Sequence, residues 1–157
     1  MPDSEEVSPS PPEAPNTQTM PAITGIKETC LYCADLAATR DFYTGLFNFP
    51  VMVEDPARFC ALDVAGVSVL LLFKKGATLD PIPAPEGIIP EHSGDGALHI
   101  GFSIPTADYD AWKSELEHRA IPVISETRWK RGGRSLYFHD PDGHVVELLT
   151  PGLWPTY

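Results

Sequence analysis

The chain has 157 residues and carries 22 Asp and Glu against 11 Lys and Arg, a formal charge of -11, which is the size of one ordinary domain or of two small modules on one core. With 43% hydrophobic and 21% charged residues and a mean hydropathy of -0.11, wholesale disorder is excluded. The negative field repels phosphate backbones and anionic membrane surfaces, which argues against nucleic-acid and membrane partners.

No apolar run approaches bilayer length, no secretory signal is visible, and the cysteines number three, Cys30, Cys33 and Cys60. These features read as a cytoplasmic protein with reduced thiols. Met1 to about Pro21 holds six prolines and four acidic residues but no Lys or Arg, and is expected to be a disordered tail (1–21) preceding a folded region (22–157).

The first module, about 23–75, opens with a strand over Ile26 to Cys33. Asp35 is a good helix N-cap, and Leu36, Phe42, Leu46 and Phe47 form one apolar face behind it. Strands follow over Val51 to Glu54, Phe59 to Val64 and Val67 to Phe73. Lys74 to Gly96 is rich in Pro and Gly and reads as a loop linking two halves, the linker proper spanning 76–96. The second module, about 97–154, repeats the order: a strand over Ala97 to Ile104, a helix from Thr106 carrying Tyr109, Trp112, Leu116 and His118, then strands over Val123 to Thr127, Ser135 to His139 and Val145 to Thr150. Leu46 matches Leu116, Pro50 matches Pro122 and Gly66 matches Gly143, a registration that sets Leu70 opposite Glu147. The expected architecture is α+β: two βαβββ modules forming a curved mixed sheet, helices outside, with a central cleft.

Alternation along strands sorts polar residues by face. His99 shares a face with Gly101 and Ser103, and its counterpart Glu28 shares one with Cys30 and Tyr32. Glu147 interrupts the apolar run Val145 to Leu149, where a carboxylate needs a partner or a cation. One His and two carboxylates suit Mn, Fe, Ni or Zn with positions open for substrate. On the residues alone, hydrogen-bonded structural roles stay open, with Arg128, Arg131 or Arg134 as ion-pair partners of Glu147. Ser135 and Tyr137 alternate toward one face, as substrate contacts or as cross-strand hydrogen bonds. Trp129, Arg131 and Arg134 surround Gly132 and Gly133 and read as a clamp for an anionic substrate group, with plain surface charge as the competing explanation. Cys30 and Cys33, three apart on a strand, face opposite ways and form no redox pair, while Cys30 is a candidate pocket wall.

Glu28 through Asp35-Leu36, Arg40-Asp41-Phe42-Tyr43, Leu98-His99-Ile100-Gly101-Phe102 and Tyr137 through Leu148 together resemble the vicinal oxygen chelate superfamily. That superfamily includes glyoxalase I, bleomycin resistance proteins, fosfomycin resistance thiol transferases and extradiol dioxygenases. The resemblance covers about Ile23 to Trp154. It implies that Glu28, His99 and Glu147 hold a divalent metal ion (Zn, Ni, Mn or Fe), that Glu147 and Tyr137 are catalytic, and that Ser135, Tyr137, Arg131, Arg134, Trp129, Cys30 and Tyr32 contact substrate. Glu28 stands where His or Gln is usual, and Leu70 stands where glyoxalase I has a further carboxylate.

The function so implied is that of a metal-dependent small-molecule enzyme, lyase or isomerase-like, which chelates two adjacent substrate oxygens. A metal-free drug-sequestering protein of the bleomycin-resistance kind and a fosfomycin-type thiol transferase are the alternatives. A homodimer is expected, with Glu28 of one chain meeting His99 and Glu147 of the other.

Overall fold

In the computed structural model, which describes residues 20–156, the order strand, helix, three strands occurs twice. The first module comprises β1 (Glu28–Cys33), α1 (Leu36–Phe47), β2 (Val51–Asp55), β3 (Phe59–Val64) and β4 (Ser68–Lys74). A hairpin, β5 (Ile82–Ala84) and β6 (Gly87–Ile89), occupies the linker. The second module comprises β7 (His99–Ser103), a 3-10 turn (Thr106–Asp108) running into α2 (Tyr109–His118), then β8 (Ser125–Arg128), β9 (Arg134–His139) and β10 (Val145–Leu149). Residues 1–19 of the expected tail lie outside the described residues.

Each module keeps its own four-stranded sheet, in the orders β1-β4-β3-β2 and β7-β10-β9-β8. β1 and β7 pair parallel with β4 and β10, and the remaining pairs are antiparallel, so both sheets are mixed and the fold is α+β.

Asp35 caps α1 as its chemistry dictates, its Oδ1 accepting from the Ala38 N–H at 3.0 Å. The helix buries Leu36, Thr39, Tyr43 and Leu46, a strict three-to-four spacing, whereas Phe42 and Phe47 flank that stripe and are only partly buried. Leu31, Leu62, Leu70 and Leu72 from the first sheet join Leu136, Phe138, Val146 and Leu148 from the second in one core with both helices. Phe47 bridges the halves, its ring 5.1 Å from Phe102 and 5.5 Å from Trp112. The faces of the sheets bearing Glu28 and His99 are the ones this core leaves open.

Several boundaries differ from the sequence expectation for local reasons. Ile26 is 84% exposed and precedes the ladder, so β1 begins at Glu28. Pro122 and Val123 stay outside β8, which starts at Ser125. His118 closes α2 as an exposed residue, and the buried residues of that helix are Tyr109 and Leu116. The linker is less irregular than its prolines indicated, because Pro85-Glu86 supplies a hairpin turn closed by the Ala84–Gly87 pair.

The internal registration also shifts by one. Glu28 pairs with Val69 and His99 with Val145, so the counterpart of Glu147 is Leu71, and Leu70 is buried on the helix side. The first-module turn holds one extra residue after its glycine. At the outer edge of the first sheet, β2 exposes Val51, Met52 and Val53, and its pairing with β3 shifts register between Val51 and Val53.

The turn between β9 and β10 fastens the modules together. Asp142 accepts from the Ala34 N–H at 2.6 Å and from the Thr39 hydroxyl at 2.7 Å, placing a carboxylate at the positive end of α1. Asp140 accepts from the backbone N–H groups of Asp142 and His144 through one oxygen and from the Tyr43 hydroxyl through the other. Burial, with Asp140 adding to it, drives the Tyr43 phenol far above its ordinary range, so it stays a donor. His144 accepts the Leu98 N–H at Nδ1, at 2.9 Å, which leaves Nε2 to donate to the Tyr32 carbonyl at 2.9 Å.

Replacing Asp142 by Ala removes the acceptor of the Ala34 N–H and the Thr39 hydroxyl across the modules, and replacing His144 by Leu strands the Leu98 N–H of its own module and the Tyr32 carbonyl of the other. Each change is expected to lower unfolding stability by about 2–3 kcal/mol in urea titrations. Asp41→Ala on the exposed side of α1 should stay within about 0.5 kcal/mol of the parent.

Candidate functional site

On the open face of the second sheet the register sets Gly101, Glu147 and Tyr137 side by side. Here lies a cavity of about 770 Å³, lined in part by His99, Ser103, Trp129, Tyr137 and Glu147. Glu147 sits inside β10 with its side chain only 8% exposed, and His99 at the start of β7 is 54% exposed. The His99 Nε2 lies 3.2 Å from Glu147 Oε2, and the Tyr137 hydroxyl donates to Glu147 Oε1 at 2.8 Å. Burial first, and that hydrogen bond second, hold the Tyr137 phenol above its ordinary range, so it remains protonated and pins the carboxylate. A Cβ at Gly101 would stand 3.0 Å from Leu149 and 3.6 Å from Glu147 Oε2, so glycine keeps the space beside that oxygen clear.

Among the described residues no Lys or Arg forms an ion pair with Glu147. Arg134 occupies the helix side of β9, where its guanidinium lies 3.5 Å from the Tyr109 ring centroid and 3.3 Å from Asp110. Arg131 donates to the Leu153 carbonyl at 2.9 Å. Neither lines the cavity, so the anion clamp expected of them does not form there. Its glycines are also less free than their composition indicates, since Gly133 packs against the backbone of Gly152 and Leu153. Trp129 does reach the cavity, and its Nε1 donates to Ser135 Oγ at 2.8 Å, which makes the buried Ser135 a support for the indole.

Glu28, Cys30 and Tyr32 line a second cavity, about 570 Å³, on the open face of the first sheet, together with Arg58, Phe73 and His92. Tyr32 meets His92 Nδ1 through its hydroxyl at 2.5 Å. Burial first, and Cys30 second, raise the Tyr32 phenol. Sequence reasoning missed Arg58 and His92. Arg58 sits in the β2–β3 turn and His92 in the Pro-rich linker, where neither has a periodic pattern to mark its face.

One chain therefore brings His99, Glu147 and Tyr137 together and leaves Glu28 in the other cavity. Among the described residues no group of three or more His, Cys, Asp or Glu is gathered in a metal-binding arrangement. A single chain offers one nitrogen and one carboxylate donor facing each other, one donor short of the set expected from the sequence.

The sequence profile of the Glyoxalase/Bleomycin resistance protein/Dioxygenase superfamily matches residues 25–148. Metallothiol transferase FosB of Bacillus licheniformis is 30% identical over 131 residues, spanning 82% of this chain and 76% of that protein. The phenazine antibiotic resistance protein EhpR of Enterobacter agglomerans is 25% identical over 123 residues, 75% of this chain and 85% of its own. Among solved structures, a lactoylglutathione lyase from Agrobacterium tumefaciens superposes with a TM-score of 0.77 at 33% identity, covering 85% of this chain and 98% of that one. Among the described residues no helix is long and apolar enough to cross a membrane.

All three thiols are free, and burial pushes Cys33 and Cys60 up to about 11 from 9.0. Iodoacetamide at pH 8 is expected to label Cys30 in the native protein and to spare the other two, checked by mass spectrometry. Because both buried thiols ionise first in the unfolded chain, the stability they contribute is fully present below pH 9.0 and lost as pH rises toward about 11. Chemical denaturation across that window should show the fall, and a double Cys33→Ala, Cys60→Ala protein should show less of it.

Proposed function

The chain belongs to the Glyoxalase/Bleomycin resistance protein/Dioxygenase superfamily, and from that premise we propose that it is a metal-dependent enzyme acting on a small molecule with two adjacent oxygens, in lyase or isomerase-like chemistry. The observation that carries the reading is the near-buried Glu147 carboxylate on an open sheet face, with His99 Nε2 at 3.2 Å and, among the described residues, no Lys or Arg paired to it. A carboxylate in that setting is costly unless a cation completes it. Glu28, exposed and in the register position equivalent to His99, is the third donor, contributed by a second copy of the chain. The assembly proposed is a homodimer with two such shared sites.

Bound there, a divalent ion supplies Lewis acidity to the two substrate oxygens. The chain's own residues do the rest. Tyr137 fixes Glu147 through Oε1; Oε2, which faces His99 beside the space kept by Gly101, would take and return a substrate proton only where a substrate oxygen replaces it as a donor to the ion. Trp129, held by Ser135, and the apolar Leu149 shield that oxygen from bulk water.

Thiol addition to an epoxide is the second reading, favoured by the metallothiol transferase relatives. The positions of Arg131 and Arg134, turned away from the cavity, weigh against a small multiply charged anion in it. Metal-free sequestration leaves the His99–Glu147 pair without a task.

Adding Ni²⁺, Mn²⁺ or Zn²⁺ to stripped protein is expected to raise its melting temperature, equivalent to about 2.7 kcal/mol at a hundredfold excess over the dissociation constant. His99→Ala should lose most of that rise. Glu28→Ala and Glu147→Ala proteins, each defective alone, should recover binding when refolded together as a mixed dimer. An unchanged metal response in His99→Ala, or no recovery despite verified heterodimers, overturns the shared site. Conversion of a hemithioacetal, against thiol addition to an epoxide phosphonate, separates the two enzymatic readings.

A further inference from the structure

We propose that the open face of the first module is the recognition wall for a planar aromatic substrate bearing an anionic group, with Arg58 pairing the anion. Placing this wall beside the metal-binding residues rests on the shared-site reading above, but its chemistry is argued from the first module alone.

The cross-strand register aligns Tyr32, Phe73 and Phe59 in one row over β1, β4 and β3. Their ring centroids lie 5.8 Å and 5.9 Å apart in sequence across the row, and His92 adds an edge 4.5 Å from Phe73. Phe73 and Phe59 are half-buried and line the cavity, where they can meet a further flat ring, while Tyr32, 6% exposed, backs the row. At the equivalent positions of the second module stand Ser103, Leu149 and Ser135, so the aromatic row is peculiar to one half of the repeat.

The linker fixes the row from outside. Tyr32 is held through its hydroxyl to His92, whose backbone N–H donates to the Thr78 carbonyl at 2.9 Å while the Thr78 hydroxyl donates back to the His92 carbonyl. Gly94 lies so close to the Tyr32 ring that a Cβ there would stand 2.3 Å from a ring carbon, so the linker closes down on the tyrosine only as glycine. A wall made rigid in this way costs little ordering entropy on binding. The cavity in front of it, about 570 Å³, is large enough for a ligand of two or three fused rings.

Charge selects among such ligands. Arg58 borders the row at the first residue before Phe59, is half-buried, and forms no ion pair among the described residues, its Nη1 donating to the Ala77 carbonyl at 2.9 Å. Glu28 and Glu91 line the same cavity; Glu28 stands four residues from Tyr32 along β1, about 13 Å away by strand rise, and Glu91 is exposed on the linker beside His92. Arg58 adjoins Phe59 and is the one Lys or Arg lining the cavity among the described residues, and its planar fork matches a carboxylate or sulfonate.

The test uses metal-stripped, full-length protein titrated calorimetrically with naphthylacetate, naphthylmethylammonium and methylphosphonate. Naphthylacetate is expected to bind about tenfold or more tightly than either of the others. Arg58→Ala should weaken it about tenfold, with Arg58→Lys recovering to within about threefold of the parent. Phe73→Leu should weaken it about fivefold, and Arg119→Ala, on the surface in a pair with Glu115, should leave it unchanged. Equal binding of the ammonium probe, or unchanged affinity in an Arg58→Ala protein whose circular dichroism and melting temperature match the parent, overturns the proposal. Because no metal is present, that failure is separate from failure of the shared metal site, which is read by metal titration.

Discussion

The fastening of the β9–β10 turn onto α1 is the constraint on which the rest of the molecule depends. Two small sheets, each unable to bury much surface alone, are made into one body because Asp142 reaches Ala34 and Thr39, Asp140 reaches Tyr43, and His144 spans Leu98 and Tyr32. These bonds hold the helix-side faces against one core. They also settle which faces remain available for chemistry. Asp140, Asp142 and His144, in the middle of the Tyr137 to Leu148 string that carries part of the family resemblance, serve this junction, one step removed from the cavities.

Legibility in the sequence followed periodicity. The two helices, the strand order and the repeat were readable because apolar spacing and turn residues marked them, and Glu147 was readable because it breaks an apolar run. Alternation gave the face of His99, but its place beside Glu147 was only implied by the family resemblance and depends on the parallel pairing of β7 with β10. What was not readable depends on through-space packing. Whether Arg134 faces the cavity or Tyr109 is decided by strand face and by a ring waiting on α2, and whether Arg131 is free is decided by a carbonyl 22 residues away. The placement of Leu71, rather than Leu70, opposite Glu147 came from one additional turn residue, which moves a side chain from one face to the other.

The repeat has diverged into unlike halves. At equivalent register the first module holds Cys30, Leu71 and Ala61 where the second holds Gly101, Glu147 and Tyr137. One half has kept a hydrogen-bonded carboxylate, and the other has kept apolar and aromatic bulk. Such a division lets a reactive group and a shape-selecting surface change independently, since each is anchored in its own sheet.

The register shift in β2 bears on a different problem. An outer strand that exposes Val51, Met52 and Val53 is a template for adding a strand from a neighbouring molecule. By interrupting the ladder between Val51 and Val53, and by following those residues at once with Glu54 and Asp55, the strand offers no continuous run of regularly spaced donors and acceptors. The irregularity thus works against open-ended sheet growth at that edge, leaving it a poor seed for aggregation despite its apolar side chains.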